Sequence, residues 1–131
     1  MQPHPPRFAI LAVIAILLCL FQGVAWAGED ALAEVNAARA ARGLRPFTQD
    51  DGLTQAAKAA ADYRAQHRIE GHTRNDFQFV PAGTTARAAG CAAWPQGQGW
   101  GSCCTYEKWT YAGAAFSIGP DKKRYMHLFV R

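Results

Sequence analysis

Near the start of the chain, two stretches place apolar side chains at the spacing of a helix. In residues 29–42, Leu32, Val35 and Ala38 or Arg39 recur on an alanine-rich, helix-favouring background. Gly43 stops that pattern, and Leu44-Arg45-Pro46-Phe47 follows as a loop apolar enough to pack down. A second helix opens at Asp50 or Asp51, where a carboxylate caps free amides and meets the positive end of the helix dipole. Leu53, Ala56, Ala57, Ala60, Tyr63 and Ala61 or Arg64 give it an apolar stripe, and its small alanines let another element come close. The pattern ends between His67 and Gly71.

The last third changes period. Residues 110–118 and 124–130 are rich in β-branched and aromatic side chains, and Gly119-Pro120-Asp121-Lys122-Lys123 between them is turn chemistry. A β-hairpin follows from this. Gly113 in its first strand marks a place where a helix packs close. Residues 72–109 keep no period, and Trp94 to Gly101 reads as a loop. A loop this long in a small domain is functional or stapled. Two helices followed by a sheet give an α+β sandwich.

Residues 1–27 stand apart. Arg7 precedes an apolar run of about 14 residues, short of the ~20 that cross a bilayer, and Ala25-Trp26-Ala27 follows as a small-x-small cleavage signal. The reading is a signal peptide, a mature domain over 28–131, a secreted, periplasmic or extracellular destination, and no stable membrane span. The chain has 131 residues and a formal net charge of +4. Losing Arg7 leaves about +3, which excludes a strongly basic nucleic-acid binder. The expected product is one monomeric domain.

Export changes the picture for the cysteines. Cys91, Cys103 and Cys104 meet an oxidising compartment, so one disulfide is expected, from Cys91 to Cys103 or Cys104. Either closes a loop of about a dozen residues, worth roughly 3 kcal/mol. The competing chemistry is a nucleophile: Cys103 or Cys104 with His72 or His127, and Glu107 orienting the histidine. That needs a thiolate of depressed pKa. His67 belongs to the polar face of the second helix. His127 alternates with Tyr125 and Phe129, on a cleft or on a half-buried sheet face. Trp94, Trp100 and Trp109, with Tyr106 and Tyr111, form either a carbohydrate or peptide platform or the cover of a small core. Lys122, Lys123 and Arg124 at the hairpin tip read as a solvated turn that blocks edge pairing.

One ordered series carries a resemblance. Leu32, Val35, Asn36 and Arg39, then Gly43-Leu44, Pro46, Phe47, Asp51, Leu53, the alanine helix and Gly71-His72, resemble the opening of the CAP superfamily of cysteine-rich secretory, antigen 5 and plant pathogenesis-related proteins. Tyr111-Ala112-Gly113-Ala114-Ala115 resembles the family's glycine-containing strand, and residues 124–129 its closing aromatic strand. The resemblance implies a shortened α-β-α sandwich, with N-terminal helices packed on a C-terminal antiparallel sheet, and secretion. It also implies a cleft holding a divalent metal such as zinc on two histidines and two glutamates. His72 falls at the first histidine. The nearest match to the family's Gly-Glu-Asn-Ile is Gly90-Cys91-Ala92-Ala93, which has no carboxylate, and the later Ser-x-x-His helix is replaced by residues 100–106. The candidate metal residues are therefore His72, Glu107 and His127. The resemblance makes Asn36 and Arg39 structural, and carbonyls, Asp51 or Asp76 would pair the buried Arg39. Binding of a protein, lipid or glycan is the expected role. The alternatives are a weak metal- or cysteine-dependent hydrolase and a structural protein of the cell envelope.

Overall fold

The computed structural model describes residues 30–101 and 103–131, so the expected signal peptide lies outside the described residues. Helix α1 spans Ala31–Ala40. Asp30 caps it by accepting the Ala33 amide at 2.9 Å, and Gly43, at φ +71°, turns the chain beyond its end. Helix α2 spans Asp51–His67 and is capped by Asp50, which accepts the Leu53 amide at 3.0 Å. It ends on Arg68, which takes the left-handed conformation at φ 54° where a glycine is more usual.

Four strands form one mixed sheet: β1 Thr48–Gln49, β2 Ala88–Pro95, β3 Tyr111–Ile118 and β4 Lys123–Val130, in the order β1-β3-β4-β2. β1 runs parallel to β3, and the other pairs are antiparallel. The hairpin β3–β4 lies within a residue of the expected one. β2 was not expected as a strand. Its sequence, AAGCAAWP, is alanine and glycine with little intrinsic strand preference. Its place is set by pairing with β4 along its whole length, from Ala88 opposite Val130 to Pro95 opposite Lys123.

The central strand β4 is buried on both faces. Met126, Leu128 and Val130 point to one face and pack with Leu32, Val35, Phe47, Ala92, Trp100 and Cys104. Phe129 points to the other face and packs with Leu53 and the alanines of α2. Tyr125 and His127 share that second face by alternation. The layers are thus α1 with Trp100 and residues 103–109, the sheet, and α2 with residues 69–87, which include a short 3-10 turn at Asp76–Phe79. Gly113 fixes the α2 contact. A Cβ there would lie 2.0 Å from the Leu53 carbonyl carbon and the Thr54 nitrogen, so helix backbone rests directly on the strand, as Gly113 foretold.

The structure holds no disulfide among Cys91, Cys103 and Cys104. Cys104 packs with Trp100 on the α1 face. Cys91 pairs with His127 in register, which turns its side chain to the α2 face, so the sheet stands between these two sulfurs. Cys103 Sγ donates to the Ala89 carbonyl at 3.3 Å. The hairpin tip also differs from expectation. Arg124 is buried and pairs with Glu34 at 2.6 Å, and Lys123 pairs with Glu70.

Candidate functional site

On the α2 face, the loop leaving the helix brings two histidines together. Arg64, fully buried, donates from Nε to the Gly71 carbonyl at 2.8 Å, and from its two Nη atoms to Met126 at 2.6 Å and Glu70 at 2.5 Å. Carbonyls solvate its charge, and the three bonds tie the 70–71 turn to β4. His72 follows at once. Its Nδ1 lies 2.5 Å from Asp76 Oδ2, while Asp76 Oδ1 accepts the Thr73 amide at 2.8 Å and the Thr73 hydroxyl at 2.5 Å. His127 has no exposed surface, and its Nε2 lies 3.5 Å from Asp76 Oδ2. Among the described residues, neither of its ring nitrogens has a hydrogen-bond partner. The two imidazoles stand edge-on at 6.4 Å between centroids.

Burial sets the protonation here. It drives His127 down to about 4, against the pull of the Asp76 carboxylate and with help from the nearby Arg64 and His72, so the ring is neutral near pH 7. Burial pushes Asp76 up, but the bonds from Thr73 and His72 outweigh it and hold the carboxyl below the usual range. Burial lifts Cys91 to about 11, so its sulfur stays protonated.

Glu107 does not join the histidines. Its carbonyl accepts Arg39 Nη1 at 2.8 Å and its Oε2 accepts the Trp109 indole at 2.8 Å, which places it on the α1 face. The expected set of His72, Glu107 and His127 therefore straddles the sheet. The residues that do meet at His72 and His127 are Asp76, Arg64 and Cys91. Asp76 had been weighed only as a partner for Arg39. The spacing Thr73-x-x-Asp76, a hydroxyl residue and an acid three apart at the start of a turn, was the signal for its local role. For a divalent metal the described residues here supply imidazole nitrogens only: His72 keeps its other ring nitrogen and His127 both of its own, whereas both Asp76 oxygens are engaged by Thr73 and His72 and burial keeps Cys91 protonated. The cysteine nucleophile fares no better at Cys104, where burial, with Cys103 and Glu107, pushes the thiol up to about 12.

The α1 face holds a second constellation. Asn36 and Phe47 exchange two hydrogen bonds, Asn36 Nδ2 to the Phe47 carbonyl at 3.1 Å and the Phe47 amide to Asn36 Oδ1 at 2.8 Å. Arg39, also buried, donates to the carbonyls of Arg45 at 2.7 Å, Thr105 at 2.8 Å and Glu107, with its guanidinium 3.7 Å above the Phe47 ring. Carbonyls take the place of Asp51 and Asp76, which bond Gln49 and His72 instead. Beside this clamp the surface is concave. A hollow of about 570 Å³ between the 43–48 loop and residues 108–110 continues past Trp109 and Thr110 into one of about 690 Å³ reaching Arg87 and Arg131. The aromatic cluster is split: Trp100 is core, Trp109 is half-buried between the hollows, and Tyr111 is exposed under Arg131.

No helix among the described residues is long and apolar enough to cross a membrane. No curated protein matches the chain. A family model described as the cysteine-rich secretory protein family, CAP, matches residues 32–125, which take in both helices, the His72–Asp76 turn, β2, β3 and the start of β4. With two helices and a mixed sheet in the expected layers and that match across most of its length, the chain belongs to the CAP family.

Proposed function

We propose that this protein is an exported CAP domain that binds a ligand rather than transforming one. The state of the His72–Asp76–His127 cluster carries the reading. A general base needs a pKa near the working pH and access to substrate. His127 is enclosed and titrates near 4. Both Asp76 oxygens are engaged by Thr73 and His72, and Cys91 stands, by resemblance, where the family carries a carboxylate. The cluster is thus built as a brace for the 70–76 turn.

Zinc loading and turnover test this. Protein incubated with excess zinc, then dialysed, is expected to hold less than one equivalent and to hydrolyse neither peptides nor esters. Stoichiometric zinc, with turnover lost in His72→Ala, would overturn the reading. A single fast-reacting thiol that tracks turnover would restore the cysteine hydrolase.

Export carries its own expectation, cleavage after Ala27, which N-terminal sequencing of the exported protein reads directly. In an oxidising compartment the pairing we favour is Cys91 with Cys103. The exposed Cys103 sulfur already bonds the Ala89 carbonyl, two residues from Cys91, and Cys104 is packed on the other face. Peptide mapping after treatment with oxidised glutathione should recover the Cys91–Cys103 crosslink.

A further inference from the structure

The paired hollows beside Trp109 take a ligand of definite chemistry. Their charged lining residues are Arg39, Arg45, Lys108, Arg87 and Arg131, and no acidic side chain lines either hollow. Arg39 is committed to backbone carbonyls, and Arg131 is shared between Asp50 at 2.9 Å and the Tyr111 ring. Arg45, Lys108 and Arg87 are exposed and form no ion pair among the described residues. Three uncommitted cations therefore flank one half-buried indole, with the exposed hydroxyls of Thr48, Thr85 and Thr110 between them.

These cations outnumber the carboxylates beside them, Glu107 on the Trp109 indole N–H at 2.8 Å and Asp50 on Arg131, and an anion relieves the excess positive charge. The shape suits an extended ligand: the first hollow is partly enclosed and the second is an open shelf, so a narrow chain can lie along both. The indole face suits the C–H face of a sugar ring, the threonines its hydroxyls, and the arginine forks a planar carboxylate. We propose that this groove binds an acidic polysaccharide, a polymer of uronic acids, with Trp109 as the stacking platform and Arg45, Lys108 and Arg87 as the carboxylate contacts. The inference rests on the binding role proposed above and places it away from the histidine cluster.

Titration of the full mature chain with α-linked tetragalacturonate, followed by tryptophan fluorescence and calorimetry, tests it. Saturable binding is expected, weakening as salt rises. The double variant Arg45→Ala with Lys108→Ala should weaken it by at least about tenfold, and Arg87→Ala by several-fold, with unchanged melting. Trp109→Ala is expected to abolish the fluorescence change. Since Trp109 also packs on the core, the surface variants decide should that one fail to fold. A neutral tetrasaccharide of equal length and tetraglutamate should each bind at least about tenfold more weakly. Equal binding of tetraglutamate, or affinity untouched by the double variant, overturns the saccharide assignment. Absent binding without turnover sinks the groove and leaves the non-catalytic reading standing. Cleavage of the tetramer sinks that reading and leaves the groove.

Discussion

Two buried arginines, one on each face of the sheet, solve the same problem in different company. Arg39 of α1 and Arg64 of α2 both lie in the interior without a carboxylate against the guanidinium, and both satisfy it with backbone carbonyls, some from the turn just after the helix and some from far along the chain. Each is a crosslink drawn from side-chain chemistry where a small domain has little core to offer. The difference lies in what surrounds them. Around Arg39 stand Phe47, Asn36 and carbonyls, none of which titrates in the working range. Around Arg64 stand His127, Asp76, Cys91 and His72. The Arg39 clamp is therefore made without a titrating group, whereas the Arg64 cluster is held by groups whose charge depends on pH.

The largest effect expected is on the α2 side. Arg64→Met keeps the volume but orphans the carbonyls of Gly71, Glu70 and Met126, at about 4 kcal/mol of stability from several lost bonds in the interior. Denaturant melts at neutral pH check it, and a loss no larger than that of a surface arginine would break the comparison. Next comes acid. Folded His127 titrates near 4 and an unfolded histidine near 6.5, so the unfolded chain takes up the proton first. Stability is complete above that upper value and falls as pH drops through the window, by up to about 3 kcal/mol. His127→Phe should flatten the dependence between about pH 7 and pH 4, and an unchanged slope would move the titration elsewhere. The smallest effect is at Arg39→Ala, about 2 kcal/mol, because Arg39 lines an open hollow from which water can reach the part-buried Arg45 and Glu107 carbonyls, leaving only the buried Thr105 carbonyl orphaned. That loss should be the same at both pH values, which sharpens the contrast between the two clamps.

Local chemistry made much of this architecture readable. Asp50 ahead of an alanine stripe announced α2, the Gly-Pro-Asp turn announced the hairpin, and Gly113 announced the close approach of a helix. The illegible parts depend on register. Nothing in Ala-Ala-Gly-Cys-Ala-Ala states that it will lie beside β4, and only that pairing decides that Cys91 faces His127 while Cys104 faces Trp100. Glu107 misled for the same reason, being near the cysteines along the chain and across the sheet from the histidines in space. The family pattern pointed to His72, but it could not say that Asp76 would become the partner of that ring.

The seat of α2 on Gly113 has a mechanical consequence. With peptide against peptide and no cushion of methyl groups between them, the helix can neither roll nor slide without colliding with the strand. Hydrogen exchange should find the amides of Ala112, Gly113 and Ala114 among the slowest in the molecule, opening only when the whole domain does.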